Sequence, residues 1–234
     1  MARLAVMLLA LALTVGVISS IVAESVSSPA PGHAAEQTLA ADTTVHTQPV
    51  AAASYKINPG QSRFTVRAFS GGVLWFMGHD HIFAVRDFTG EAQITPDSLT
   101  PASLQLRAKA ASLEETRAHF TPQEKQIINK EARHEVLEAD EYPEITFRST
   151  EVVAEKTGDN QYVAKIGGDL TLHGVTRHIM IPAHVSIDGN TLHANGEFSI
   201  NRSDYNVKTE AIKWGTIRIR DRVKFSFDIV ADKL

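Results

Sequence analysis

The sequence predicts an all-β protein, an extended antiparallel β-barrel with one appended amphipathic α-helix. From Asn160 to Leu234, apolar side chains fall on every second residue in four long segments separated by turn-forming residues. Side chains alternate across a strand, so this spacing indicates strands with one dry and one wet face. The segments are longer than the five or six residues usual for a strand. Long antiparallel strands with a dry inner face close readily into a barrel.

The first half of the chain adds further strands. Residues 62–69 alternate between apolar and polar side chains and predict a first strand. In residues 73–94 apolar side chains occur at both odd and even positions, and their alternation shifts by one residue near Arg86 and Asp87. This pattern indicates a bulge or a strand covered on both faces. Residues 102–110 return to strict alternation. The antiparallel sheet therefore extends over most of the chain.

One helix interrupts the strands. Thr121 has the character of an N-cap, Pro122 suits the first helical position, and Glu124 completes a capping box. The helix ends before Pro143, after which a strand restarts. Its apolar stripe consists of Ile128, Ala132 and Val136. We expect this helix to cover a flank or an open end of the barrel.

Three segments follow from composition. Residues 1–23 carry one arginine and then a long apolar run, which indicates a signal peptide or an uncleaved signal anchor helix. Residues 24–53 are rich in Ala, Ser, Thr and Pro and predict a disordered linker. Residues 54–234 form the predicted barrel domain. The apolar run is about long enough to cross a bilayer, so cleavage and membrane retention both remain open.

Overall charge and cysteine content exclude several classes of function. The net charge of −4 and the pI near 6.2 provide no basic footprint for nucleic acid. The chain has no cysteine, which removes disulfides, thiolate chemistry and zinc–thiolate sites. The basic residues of the last strand are best interpreted as a solvated face.

Four segments in one order carry a family resemblance. They are residues 88–90, 142–147, 170–177 and 198–205, which read FTG, YPEITF, LTLHGVTR and FSINRSDY. Together with the order of elements from Tyr55 onward, they resemble the YceI-like family. The resemblance implies a lipocalin-like barrel that binds an amphiphile with a long apolar tail, commonly a polyisoprenoid or an isoprenoid quinone, without a covalent cofactor. It also implies a periplasmic protein, which agrees with the exported N-terminus.

The inward-facing apolar positions are the predicted contacts for such a tail. Pattern alone is equally consistent with an ordinary packed core, and the resemblance favours a ligand. Small residues at the same parity, Gly168, Ala183, Ala194 and Gly196, would either leave room for a ligand or let a strand bend. The predicted tail contacts are Phe64, Val66, Leu104, Leu106, Phe147, Leu170, Leu172, Ile179, Ile181, Phe198, Phe225 and Phe227.

Three histidines are further candidates. His79 and His81 flank Asp80, where many family members have a plainer Gly-His-Ser. This His-x-His pair is half of a possible metal site, but two further ligands at signature spacing are missing. We expect both imidazoles at the barrel mouth, hydrogen-bonded to a quinone carbonyl or another polar head group. His173 precedes Gly174, and it would either fix a turn or contact the ligand.

Asp221 carries a carboxylate at a position of the last strand where the alternation places apolar side chains. A buried charge needs a donor, and Arg202 and Tyr205 are the expected partners, in a lock at the mouth or an anchor for the ligand. The segment from Ser203 to Tyr205 lacks the base and turn context of acyl-transfer chemistry, and no other nucleophile is indicated. We therefore expect a binding protein and not an enzyme.

A carrier or a store is the expected function. The tail is already in hydrocarbon when it lies in a membrane, so exchange between bilayer and barrel would be nearly neutral. The expected partners are a long-chain lipid and, transiently, a membrane surface, and a homodimer stays open. Two other functions also remain open. One is a metal-dependent protein or sensor that uses His79, Asp80 and His81, and the other is a ligand-free envelope stress protein with a solid core.

Overall fold

A computed structural model describes residues 51–74, 78–209 and 218–234 of the chain. The predicted signal or anchor at residues 1–23 and most of the predicted linker at 24–53 lie outside the described residues, so both stay predictions. Within the described part, no helix is long and apolar enough to cross a membrane.

The described residues are mostly strand, which confirms the all-β prediction. The strands are β1 (Ala53–Ile57), β2 (Arg63–Gly71), β3 (His81–Val85), β4 (Phe88–Thr95), β5 (Leu99–Lys109), β6 (Leu113–Glu115), β7 (Glu144–Gly158), β8 (Gln161–Leu172), β9 (Val175–Asp188), β10 (Thr191–Asn201) and β11 (Arg218–Lys233). Helix α1 (Pro122–Lys130) lies between β6 and β7 and continues as a wide π-helical turn, Glu131–Val136.

Eight of these strands form a closed antiparallel barrel in the order β1-β4-β5-β7-β8-β9-β10-β11. The barrel closes where β1 pairs with the end of β11, with Tyr55 opposite Lys233 and Ile57 opposite Ala231. The earlier part of β11 pairs instead with β2, from Arg218 opposite Gly71 to Asp228 opposite Arg63. Strands β3 and β6 continue the sheet from β2. The wall is therefore wider at one end of the barrel.

We call that wider end the helix end. It holds α1, the β8–β9 turn and the residues that follow β10. The opposite end, the hairpin end, carries the β7–β8 turn at Asp159 and Asn160 and the β9–β10 turn at Gly189 and Asn190. Each end of the cavity can then be assigned from the position of its lining residues along the strands.

Two predictions about the early strands were wrong in detail. The phase change near Arg86 and Asp87 is a change of strand and not a bulge, because β3 pairs with β2 and β6 whereas β4 pairs with β1 and β5. Strand β1 was not predicted. Its alternation is visible at Ala53, Tyr55 and Ile57, which are all buried, but five residues next to a polar segment are a weak signal.

The predicted helix is confirmed, including its capping box. Thr121 Oγ1 accepts a hydrogen bond from the Glu124 backbone N–H at 3.3 Å, and Glu124 Oε2 accepts one from the Thr121 N–H at 2.7 Å. This arrangement satisfies backbone donors that a helix start otherwise leaves unpaired. The predicted stripe of Ile128, Ala132 and Val136 faces the barrel interior. The helix therefore covers the helix end, as expected.

The ladder between β9 and β10 is incomplete. It runs from Asp188 opposite Thr191 to His184 opposite Asn195 and then stops, although both strands continue toward the helix end. Pro182 lies two residues beyond the last pair, and its ring nitrogen has no hydrogen to donate to a neighbouring strand. The wall therefore has a seam between β9 and β10 where the ladder hydrogen bonds are missing.

Gly168 and Gly196 provide space for aromatic rings. A Cβ on Gly168 would lie 2.6 Å from Phe147 Cζ, and a Cβ on Gly196 would lie 2.7 Å from Phe227 Cζ. At both glycines the space that a side chain would fill is taken by a neighbouring ring and is not open to a ligand. Ala194 lines the barrel interior, and Ala183 is buried in the wall.

Replacing Gly168 by alanine should destabilise the barrel, because the new methyl group would meet the Phe147 ring and the carbonyl oxygen of Arg148. Overpacking of this kind costs about 1–3 kcal/mol of unfolding free energy. Urea denaturation followed by circular dichroism measures the loss. Gly60→Ala is the matched control, since the nearest heavy atom to its Cβ, Asn58 Oδ1, is 3.5 Å away. Equal midpoints for the two variants would contradict the packing argument.

Candidate functional site

The barrel encloses an apolar cavity with a volume of about 1030 Å³. Eleven of the twelve predicted tail contacts line it, and only Ile179 does not. That residue lies instead on a separate polar cleft described below. The role of the predicted residues as ligand contacts remains a prediction. The lining set is Phe64, Val66, Leu104, Leu106, Phe147, Leu170, Leu172, Ile181, Phe198, Phe225 and Phe227.

Aromatic rings form one side of the cavity. Phe64 is central, with ring centroids 6.2 Å from Phe225 and 6.5 Å from Phe227. Phe198 stacks on Phe225 with centroids 4.9 Å apart. These rings come from β2, β10 and β11, which are neighbours in the sheet. The surface they form is broad and apolar, and it suits contact with hydrocarbon.

The cavity is chemically asymmetric along the barrel. Near the hairpin end its lining is apolar and includes Ile94, Leu99, Val185 and Leu192. All the charged residues that line it within the described chain belong to the helix end. They are Glu131, Glu135, Glu138, Arg202 and Lys208, and the imidazole of His81 lies at the same end. The cavity therefore has the shape and polarity that an amphiphile requires, with an apolar interior and a polar rim.

His81 is the predicted histidine that lies on the cavity. Its Nδ1 is 2.9 Å from Oε2 of Glu115, whose side chain is fully buried. The same carboxylate accepts hydrogen bonds from the backbone N–H groups of Ile82 and Arg117, which satisfies it in the absence of water. The imidazole stacks on Phe120 with centroids 5.3 Å apart. His81 is thus held in one orientation, and Nε2 is the ring nitrogen without a partner among the described residues.

His79 and Asp80 lie away from the cavity lining. His79 is exposed, with its ring centroid 4.3 Å from that of His119. Asp80 accepts hydrogen bonds from the Arg67 guanidinium at 2.8 Å and the Ser70 N–H at 3.0 Å. The described residues contain no group of three or more His, Cys, Asp or Glu side chains arranged to hold a metal ion.

His173 makes the contacts expected of a residue that fixes a turn, which was one of the two roles considered for it. It has a φ of 51° in the β8–β9 turn, and its Nε2 is 2.6 Å from Oε2 of Glu138. Its ring centroid lies 4.3 Å from that of Tyr142. The side chain therefore ties the turn to the segment after the helix, and His173 is not among the residues that line the cavity.

Asp221 is exposed and not buried, because the register of β11 against β2 shifts between Ile219 and Val223. The expected donors Arg202 and Tyr205 were wrong. Asp221 instead accepts hydrogen bonds from the hydroxyl of Ser203 at 2.7 Å and from its N–H at 2.9 Å. These bonds hold the pKa of Asp221 below its usual range. The carboxylate therefore fixes the turn after β10 by hydrogen bonds that lie outside the cavity.

Several residues on or beside the cavity were not predicted. Glu115 lies on a strand of three residues, too short to show alternation. Phe83 and Ile94 belong to the stretch whose phase change was misinterpreted. The helix stripe was visible in the sequence, but its partner surface could not be assigned before the barrel was closed. In each case the sequence did not show which strand or helix the residue would contact.

A closed antiparallel barrel with an apolar interior and one covering helix defines a lipocalin-like fold. Residues 55–231 match the model of the YceI-like domain family. The chain therefore belongs to that family, which confirms the resemblance in the sequence.

Two relatives show the extent of similarity in sequence. A UPF0312 protein of Photorhabdus laumondii is 33% identical over 142 residues, which cover 59% of this chain and 64% of that protein. A UPF0312 protein of Pseudomonas syringae pv. tomato is 30% identical over 131 residues, covering 53% and 62%. The chain thus spans less than two thirds of the length of these curated relatives.

Two solved structures share the fold. BcnA of Burkholderia cenocepacia has a TM-score of 0.57 and 22% identity, covering 74% of this chain and 98% of that one. A polyisoprenoid binding domain from Saccharophagus degradans, implicated in plant cell wall breakdown, has a TM-score of 0.56 and 14% identity, covering 76% and 97%. At these identities the similarity establishes the fold.

Replacing Asp80 by asparagine should lower stability at neutral pH only. Burial by itself would raise the pKa of Asp80, but the hydrogen bonds from Ser70 and Arg67 outweigh it and hold the pKa below the usual 3.8. A carboxylate with a depressed folded-state pKa stabilises the fold above its unfolded-state pKa and loses that contribution as the pH falls through the folded-state value. The expected cost of Asp80→Asn at neutral pH is about 1 kcal/mol.

Urea denaturation at about pH 7 and about pH 3 checks this expectation, since the difference between wild type and variant should shrink at the lower pH. Asp159→Asn, at an exposed turn position, serves as the control and should be neutral at both values. A difference for Asp80→Asn that does not change with pH would exclude the ionised carboxylate as its cause.

Proposed function

We propose that this protein binds a long-chain amphiphile, such as a polyisoprenoid or an isoprenoid quinone, and carries or stores it in the periplasm. The observation that supports the proposal most strongly is the cavity of about 1030 Å³, which is apolar in depth and charged at one end. The tail would lie along the barrel toward the hairpin end, with the head group at the helix end.

The size of the cavity favours a long tail. Pockets for drug-sized ligands have volumes of about 300–1,000 Å³, and this cavity lies at the top of that range. A globular ligand of that size would need polar partners spread over its surface. The interior offers phenylalanine rings and aliphatic side chains instead, as described above. A flexible hydrocarbon chain is the class of ligand for which such apolar contacts are sufficient.

The energetics favour exchange over trapping. Each buried CH₂ group contributes about 0.8 kcal/mol relative to water, so several isoprene units would give a large gross gain. In a cell, however, the tail is exchanged with a bilayer, which is also hydrocarbon. The net free energy of transfer is then near zero, and binding is reversible. This property suits a carrier or a store.

Two features favour brief contact with a membrane. Val73 follows β2 at the helix end and has 82% of its surface exposed, and Ile127 on α1 has 59% exposed. Both apolar side chains lie on elements that border the end proposed for the head group. A transient membrane contact would let the tail pass between bilayer and barrel without crossing water. Export to the periplasm, free or tethered, is part of the proposal, and the arginine and apolar run of residues 1–23 support it.

Binding is proposed in preference to catalysis because of the partners of the imidazole on the lining. Within the described residues, the hydrogen-bond partner of His81 is the carboxylate of Glu115 and not a serine or threonine hydroxyl. Such a pair can donate to or accept from a ligand oxygen, including a quinone carbonyl. It lacks the nucleophile that covalent chemistry would need.

Protein produced in its native host should contain a long-chain lipid in a ratio near one per barrel. Organic extraction followed by mass spectrometry identifies the lipid, and native mass spectrometry of the intact protein gives the ratio. Protein that is folded but yields no lipid, and that takes up none from vesicles containing isoprenoid quinone, would refute the proposal. It would favour a ligand-free protein.

Filling the cavity should reduce lipid content without unfolding the barrel. Ala194 on β10 lines the cavity, so the phenyl group of Ala194→Phe would enter empty space. In a tightly packed core the same change would cost about 1–3 kcal/mol. We expect a smaller loss of stability together with lower lipid occupancy, measured by denaturation and native mass spectrometry. His193→Phe, at the adjacent exposed position, is the control. Unchanged occupancy in Ala194→Phe would contradict the proposed tail site.

A further inference from the structure

A second, polar recess lies on the seam between β9 and β10. Its volume is about 580 Å³, and it occupies the region where the ladder between the two strands has ended. We call it the seam cleft. Its polar lining comes from β9, β10, β11 and the short turn after β10, and it consists of Arg177, His178, Ser199, Asn201, Asp204, Tyr205 and Arg222.

Tyr205 provides the first indication of a ligand. It lines the seam cleft, yet only 1% of its surface is exposed, and its hydroxyl has no hydrogen-bond partner among the described residues. A buried hydroxyl without a partner costs free energy that a packed phenylalanine would avoid. Burial raises the pKa of Tyr205, so the group is a neutral hydrogen-bond donor at physiological pH. It has a hydrogen to donate to an acceptor that residues 51–74, 78–209 and 218–234 do not supply.

The charges around this hydroxyl indicate which acceptor is preferred. Within the described part of the chain, neither Arg177 nor Arg222 forms an ion pair with a carboxylate, and Arg177 Nε donates to the backbone oxygen of Asp204 at 3.1 Å. The carboxylate of Asp204 also lines the cleft, but it accepts a hydrogen bond from Asn201 Nδ2 at 3.3 Å. His178 also lines the cleft, and its Nδ1 is 3.2 Å from Oδ1 of Asp169. The seam cleft therefore has two guanidinium groups against one carboxylate.

We propose that the seam cleft binds an anionic oxygen group, a phosphate or a carboxylate. Arg177 and Arg222 provide the charge, and the hydroxyl of Tyr205 donates a hydrogen bond. Guanidinium groups suit such anions because their N–H donors match the geometry of carboxylate and phosphate oxygens.

The position of the cleft indicates where such an anion would come from. Ile200 lines both the seam cleft and the apolar cavity, so one layer of side chains separates the two spaces. The ladder between β9 and β10 does not reach Ile200, which pairs on its other side with Val223 of β11. A tail that entered the cavity beside Ile200 would place its head group in the cleft. This step rests on the proposed function, whereas binding of a free anion in the cleft does not.

The test compares three probes on the full-length protein: geranylgeranyl phosphate, geranylgeraniol with the same tail, and inorganic phosphate. Affinity for each is measured by isothermal titration calorimetry. Tyr205→Phe removes the hydroxyl and keeps the ring, and Arg222→Gln removes one charge. Tyr162→Phe is the matched control, because Tyr162 is also buried with an unpartnered hydroxyl but lines neither space.

We expect the phosphate-bearing lipid to bind at least about tenfold more tightly than the alcohol, and this preference to fall about tenfold in Tyr205→Phe and in Arg222→Gln. Tyr162→Phe should keep the preference. Binding of inorganic phosphate that is lost in the same two variants would also support the cleft and would identify a free anion as the ligand.

Three results would overturn the proposal. Equal affinity of wild type for the phosphate and the alcohol, without binding of inorganic phosphate, would exclude an anion site. A preference that survives Tyr205→Phe and Arg222→Gln but is lost in Lys208→Gln would place the anion on the cavity rim instead. An equal loss in Tyr162→Phe would show that the effect is not local. If neither lipid binds while inorganic phosphate does, the tail proposal fails and the cleft stands.

Discussion

Closure of the sheet is the constraint on which the rest of the structure depends. The short pairing between β1 and the end of β11 joins the first strand to the last, with Ile57 opposite Ala231. Because a closed sheet has no free edge there, the inward side chains are held apart on opposite walls and cannot collapse into two flat layers. The hollow interior is a consequence of that geometry, and the function proposed for the protein depends on it.

The helix end is where this regular arrangement gives way. β1 is too short to pair along all of β11, so β2, β3 and β6 complete the wall and α1 covers the opening. Irregular backbone brings polar groups with it, which need hydrogen bonds. The pair of His81 and the buried Glu115, the link between His173 and Glu138, and the Asp221 contacts to Ser203 all lie at this end. Polarity and potential chemistry are therefore concentrated where the barrel is least regular.

The seam between β9 and β10 is a second departure from regularity. A strand pair that stops near Pro182 leaves a recess in the wall, and the turn carrying Tyr205 partly fills it. The adjacent glycine, Gly196, has no room for a side chain because the Pro182 carbonyl and the Phe227 ring already occupy that space. An apolar cavity and a polar cleft consequently share one boundary residue, Ile200. This proximity arises from the missing ladder and could not come from either strand alone.

Local periodicity by itself determined the strand class, the inward parity and the helix with its cap, because each is set by neighbours within a few residues along the chain. Eleven of the twelve apolar residues that this pattern marked as inward-facing line the cavity. Tertiary structure alone decided that Asp221 faces outward at a bulge, that Glu115 is buried beneath His81, and that Tyr205 is buried at the seam. These placements depend on which strands meet and where a ladder ends. Such contacts join residues far apart in sequence and leave no periodic signal.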